Sequence, residues 1–114
     1  MSSNGHGPYP TLKAQLAKDE IIIAPGCFDA FSAMMVQQAG FSVGYITGAS
    51  IAYTRLGMPD IGLVSMNEVA NTVSLIDERV GMPLIVDGDT GYGNAINTQR
   101  TVRLFEASGA SAIQ

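Results

Sequence analysis

"SMNEVANTVSLIDERVGMPLIVD", Ser65 to Asp87, contains the transition that decides the fold. Ser65 followed three residues later by Glu68 has the form of a capping box, each side chain satisfying an amide that the start of a helix leaves unpaired. Val69, Val73, Ile76 and Val80 then recur at helical spacing and make one apolar face. Gly81 stops that helix. Pro83 leads into the apolar run Leu84, Ile85, Val86, short enough to be a strand buried on both faces. A helix delivered directly into a buried strand is the repeating unit of a parallel α/β sheet.

The same alternation extends in both directions. Towards the N-terminus, Leu12 and Leu16 at i,i+4 predict a short helix that ends before Asp19. "EIIIAPG" (20–26) reads as a buried strand stopped by Pro25 and Gly26. Asp29 can cap a helix through "AFSAMMVQQAG" (30–40). "SVGYITG" (42–48) is a second strand, followed by a long polar, glycine-containing connection. Towards the C-terminus, Val102 and Phe105 mark a helix through "TQRTVRLFEASG" (98–109), and "ASAIQ" (110–114) starts a fourth strand.

Four strands alternating with helices imply a parallel sheet with helices outside it, and such sheets bind ligands at the carboxyl ends of their strands. A closed (βα)8 barrel takes ~250 residues. The 114-residue chain therefore reads as the N-terminal part of a (βα)8 TIM barrel, truncated after about four strands; a small open sheet is the alternative. Positions 1–10 read as a flexible tail and 11–114 as an incomplete single barrel domain. The edge of the last strand, left open, could pair with another chain, which gives a non-catalytic interaction protein as a competing reading.

Composition narrows the function classes. With 46% hydrophobic and 14% charged residues and a net charge of -4, the chain is globular in character. No apolar run approaches the ~18 to 20 residues of a membrane span. "MSSNGHGPYP" lacks the basic start and apolar core of a secretory signal, so a cytoplasmic location is expected. Only six Lys and Arg are present, and they are scattered, which argues against a nucleic-acid surface. Cys27 is the sole cysteine; with no histidine near it in sequence it reads as a packing residue. His6, the sole histidine, falls in the expected tail.

Function is concentrated at the strand ends. In "LIVDGDTGYGN" (84–94), Asp87 and Asp89 point the same way if the strand runs on through Asp89. Two bare carboxylates ~4 Å apart repel by about 1 kcal/mol in water and about 4 kcal/mol at an effective dielectric of 20. Exposure, a shared proton or a bound cation each makes the pair tolerable, and hard oxygen donors favour Mg²⁺ or Mn²⁺. The "GYGN" turn lacks the third glycine of a dinucleotide fingerprint. Thr47, Gly48 and Ala49 form a small-residue turn whose backbone N–H groups can receive a carboxylate or oxyanion, or a plain strand-to-loop turn. Asp60 is a third acid that can fold back towards this rim or cap a helix. Arg55 reads more readily as a solvent-facing side chain than as an anion binder.

"APGCFDAFSA" (24–33), "YITGASIAYTRLGMPDIGL" (45–63) and "LIVDGDTGYGN", in that order and spacing, resemble the isocitrate lyase/phosphoenolpyruvate mutase superfamily. The likeness runs from about Leu12 to Gln114. It is greatest to the group of methylisocitrate lyases, 2,3-dimethylmalate lyases, oxaloacetate decarboxylases and carboxyphosphonoenolpyruvate phosphonomutases. The resemblance implies a (βα)8 barrel, a homotetramer with an exchanged C-terminal helix, and Mg²⁺ held at Asp87 directly and at Asp89 directly or through water. It implies that Tyr45, Thr47, Gly48 and Ala49 hold a small carboxylic acid substrate, and that Asp60 approaches the metal through water in a catalytic role. The implied chemistry is cleavage or formation of a C–C or P–C bond beside a 2-oxo or 2-hydroxy acid through a metal-stabilised enolate, with a product such as pyruvate. Family members continue with a glutamate-bearing strand end, a mobile loop with an acid-base cysteine, and a substrate-binding arginine. None of these is among the 114 residues, so the chain alone is expected to be inactive. Gly88 stands where an alanine is usual between the two aspartates, and Tyr53 and Arg55 are bulkier than their usual counterparts.

Overall fold

A computed structural model describes residues 8–114. His6 and most of the expected tail lie outside the described residues. Four short parallel strands form one sheet in the order β1-β2-β3-β4: β1 Gly26–Cys27, β2 Gly44–Ile46, β3 Leu84–Val86 and β4 Ala112–Ile113. Register is continuous across the sheet, with Cys27 beside Ile46, Ile46 beside Val86 and Val86 beside Ile113. Consecutive parallel strands paired in chain order, joined through helices, make the N-terminal, four-stranded portion of a (βα)8 barrel.

The helices follow from their caps. Helix α1 spans Leu12–Leu16, and α2 spans Ala30–Gln38 from a capping box between Asp29 and Ser32. Helix α4, Met66–Arg79, opens on the expected Ser65–Glu68 box and buries Val69, Val73 and Ile76 against the sheet. At roughly 1.5–3 kcal/mol for each fully buried aliphatic side chain, that face is a principal source of packing energy. Helix α5, Ala95–Ser108, begins earlier than the apolar pattern indicates, because Asn94 and Asn97 form a third capping box.

The strands show which side of the sheet is which. Cys27, Ile46, Leu84 and Val86 are fully buried under the helices, whereas Tyr45 and Ile85, on the opposite face, are only partly covered. That second face is the one that lines the interior of a barrel.

Several sequence expectations need correction. Segment 20–25 is not a buried strand: Ile21 is 90% exposed and Ile23 63%. Pairing with β2 begins only where the Tyr45 N–H reaches the Pro25 carbonyl, so the residues before it have no ladder partner among the described residues. Leu12 and Phe105 are buried as expected, but Leu16 and Val102 are exposed, and the other buried positions are Gln15 in α1 and Thr101 in α5. The polar connection after β2 is not a loop. It starts with α3, Gly48–Ile51, which passes directly into a π-helical turn, Ala52–Leu56, anchored by buried Ile51 and Ala52. Among the described residues no helix is long and apolar enough to cross a membrane.

Candidate active site

Asp87 follows the last residue of β3, and the register that puts Val86 beside Ile46 brings it to the start of α3. Its Oδ2 accepts a hydrogen bond from the Gly48 N–H at 3.3 Å, and its Oδ1 accepts one from the Asp89 N–H at 2.9 Å. A Cβ on residue 48 would lie 3.1 Å from Oδ2, so glycine there lets the backbone come close. The strand does not run through Asp89, whose φ of 50° turns the chain sharply. The two aspartates share a site through this turn and not through strand alternation.

Asp60, Asp87 and Asp89 line one small cavity of about 40 Å³ with Gly48, Gly62, Val64 and Tyr92. Asp60 reaches it from the exposed connection between the π-helical turn and α4. Asp87 is half-buried and Asp89 exposed. Burial, then the charges of Asp89, Asp87 and Asp60, push the Tyr92 phenol up to about 12, so it stays protonated and neutral beside three acids. Burial, then Asp87, also raises the Tyr45 phenol.

Of the expected substrate residues, only Gly48 lines this cavity. Thr47 caps α3, its hydroxyl accepting the Ser50 N–H at 3.4 Å. Ala49 is the second residue of α3, in its first turn, where its N–H is among those the helix itself leaves unpaired. Tyr45 stands on the partly covered face of β2 and donates its hydroxyl to Gln114. Arg55 lies apart on the outer layer, 3.7 Å from Glu68 and bonded to Thr72 at 3.3 Å. Cys27 is fully buried, and burial followed by Asp29 pushes its thiol up to about 11, as suits a packing residue. Gly62, Val64 and Tyr92 were not singled out from the sequence. For Tyr92 the flanking glycines were the available signal.

Among the described residues no three His, Cys, Asp or Glu side chains form a metal-holding group. Two or three carboxylates around a small cavity nonetheless suit Mg²⁺, which commonly takes one or two protein carboxylates and retains several waters. Asp87 has spare lone pairs on both oxygens beyond its two amide bonds.

The model of a family described as phosphoenolpyruvate phosphomutase matches residues 12–114. A 2,3-dimethylmalate lyase of Eubacterium barkeri is 40% identical over 103 residues, 90% of this chain and 36% of that protein. A 2-methylisocitrate lyase of Aeropyrum pernix is 43% identical over 107 residues, 94% of this chain and 34% of that protein. A solved phosphonopyruvate hydrolase complex with oxalate and Mg²⁺ superposes with a TM-score of 0.85 at 34% identity, over 90% of this chain and 36% of that one. The chain thus spans about a third of the length of the curated relatives it matches.

Proposed function

The chain belongs to the phosphoenolpyruvate phosphomutase family, a family of lyases and mutases, and on that premise we propose that it forms the cation- and substrate-binding rim of a Mg²⁺-dependent carbon–carbon lyase or decarboxylase. The substrate class is a small 2-oxo or 2-hydroxy di- or tricarboxylic acid. The observation that carries this reading is the convergence of Asp60, Asp87 and Asp89 on one cavity beside the start of α3.

Asp87 would hold the cation directly, and Asp89 and Asp60 through water. A divalent cation bound there supplies Lewis-acid stabilisation of an enolate-like oxygen. The protein's own residues do the rest of the positioning. Gly48 and Asp89 amides orient the Asp87 carboxylate from two sides, and this fixes its direction before any ligand arrives. Since the Gly48 N–H is occupied by Asp87, the Ala49 N–H is the amide of that turn open to a substrate carboxylate. Thr47 holds the turn in place through Ser50. Tyr92, neutral at physiological pH, can donate a hydrogen bond but not act as base.

Calorimetric titration with oxalate tests the reading. Binding is expected in the presence of Mg²⁺ and not with EDTA, and Asp87→Asn is expected to weaken it at least ~10-fold, the scale on which lost orienting partners act at metal sites. Equal oxalate affinity with and without Mg²⁺ would overturn it. A second reading, chemistry at a P–C bond, is favoured by the family's description and by the phosphonopyruvate hydrolase likeness. Mg²⁺-dependent binding of phosphonopyruvate, with no binding of oxaloacetate under the same conditions, would select it.

A further inference from the structure

Residues 53–63, which run from the π-helical turn towards α4, are eleven consecutive exposed positions. Five of them are large and apolar: Tyr53, Leu56, Met58, Ile61 and Leu63, with Ile61 66% exposed. The charges in this strip are Arg55 and Asp60, and it contains no Lys, Glu, Ser or Ala. Tyr, Met and Arg are enriched, and Lys, Glu, Ser and Ala depleted, where protein surfaces meet one another, so the composition is that of an interface. The strip is also held in shape. Buried Ile51 and Ala52 anchor its start and buried Val64 its end. The Gly57 and Met58 amides donate to the Tyr53 and Ala52 carbonyls at 3.1 and 3.2 Å, and Arg55 reaches Thr72 at 3.3 Å. A surface ordered before binding loses less entropy when it is covered.

Beside the strip lies a groove of about 700 Å³ between α2, α3 and α4. Phe28, Phe31, Met34, Ile51 and Leu75 make its apolar surface, and Thr54 and Arg55 belong to strip and groove alike. Phe31, 67% exposed, and Leu75, 51% exposed, stand open on its walls. Soluble proteins rarely leave a contiguous apolar patch of more than a few hundred Å² uncovered. An apolar strip joined to an apolar groove is a pair of surfaces that a two-fold axis can bring together. The strip of one copy enters the groove of the other, and the reverse, so both are covered at once. We propose that this face is a dimer interface whose occupant is a second copy of this chain. Size favours a copy over a small ligand. The eleven residues of the strip and the ten further residues lining the groove reach the ≈ 20–30 that a standard interface takes on each side. Charge does not oppose it: the chain carries -4 overall, but this face sets Arg55 and Arg79 against Asp29, Asp60 and Glu78.

Sedimentation equilibrium tests the proposal on the wild type, on Ile61→Asp in the strip and on Leu75→Lys in the groove. Both positions are exposed, so neither change enters the core. The wild type is expected to dimerise, and each variant to weaken the dimer at least ~10-fold, the scale on which an anchoring apolar contact acts. An equimolar mixture of the two variants is expected to associate more tightly than either alone. It brings one intact strip to one intact groove and sets opposite charges against each other at the second contact. Should Ile61→Asp lose its helical circular dichroism, Leu63→Asp takes its place with the same expectation. A wild type that stays monomeric at ~100 µM leaves the face to a different partner and overturns the proposal. Association that both variants leave unchanged, or a mixture no tighter than its components, overturns it as well.

Discussion

Gly88→Ala makes the sharpest test of how the acidic turn is built. Gly88 separates Asp87 from Asp89 in the turn after β3. Here a Cβ would lie 2.7 Å from Ile113 Cγ2 and 3.3 Å from the Gln114 carbonyl. Ordinary contact begins at 3.4 Å, so Ile113 or the turn must yield by about 0.7 Å. Neither yields readily. Ile113 is β-branched and stiff at χ1, and the Gly88 N–H is tied to the Gln114 carbonyl at 3.0 Å. Overpacking of this kind costs about 1–3 kcal/mol. Residue 88 has no positive φ, so alanine also gains about 0.4–1 kcal/mol from a less flexible unfolded chain. The net loss expected is roughly 0.5–2 kcal/mol, or about 3–10 °C in Tm for a domain of this size. Thermal melts followed by circular dichroism measure it, singly and in an Ile113→Ala background. Removing the Ile113 methyl should abolish the penalty, giving a coupling of about 1–3 kcal/mol between the sites. The reasoning is refuted if Gly88→Ala melts with the wild type, or loses the same stability in both backgrounds.

Three further outcomes are expected. Thr101→Val leaves the buried Gly91 carbonyl without its hydroxyl donor and should cost about 1–3 kcal/mol, measured by denaturant unfolding; no loss would mean the α5–turn contact is not stabilising. Cys27, fully buried with its thiol pushed up to about 11, should not react with Ellman's reagent at pH 8 until the protein unfolds, so reaction in the native state would contradict its placement. Glu68 is held below its ordinary 4.5 first by the Ser65 N–H, then by the Ser65 hydroxyl, and also by Arg55. With the folded value depressed, its stabilisation is present above pH 4.5 and is lost as pH falls through the lower folded value. Glu68→Gln should therefore flatten the acid limb of the stability profile, and an unchanged limb would count against the capping interaction.

What the sequence made legible was local. Ser65 with Glu68 and Asp29 at a strand-to-helix junction are short-range patterns, and both open helices in the structure. The acid pair and the Gly48 turn stood out as acids and small residues at strand ends, a pattern that a helix cap or a plain strand-to-loop turn also produces. Non-local facts stayed hidden. Ile21 and Ile23 satisfy every strand preference, yet pairing depends on where β2 starts, and it starts too late for them. Gly48–Leu56 contains no helical apolar stripe, since two adjacent residues, Ile51 and Ala52, do all its burying. Tyr92 lines the cavity only because the chain turns left-handed at Asp89 and again at Tyr92, for which the glycines on either side of Tyr92 were the one local signal.

Register explains why the site forms where it does. In a parallel pair the side-chain period is two, so a one-residue slip of β3 against β2 would turn Asp87 from the half-covered face to the helix-packed face. Two constraints oppose the slip. Leu84 and Val86 are fully buried under the helices, and reversing them would expose both. The Gly48 N–H also finds Asp87 Oδ2 only when Ile46 lies beside Val86. The hydrophobic layer thus sets the register, and the register sets the acid. Because α5 then holds the turn that brings in Asp89 and Tyr92, the chemistry at this rim depends on packing one layer beneath it. Core substitutions at Leu84, Val86 or Phe105 should accordingly reach the proposed cation site without touching it.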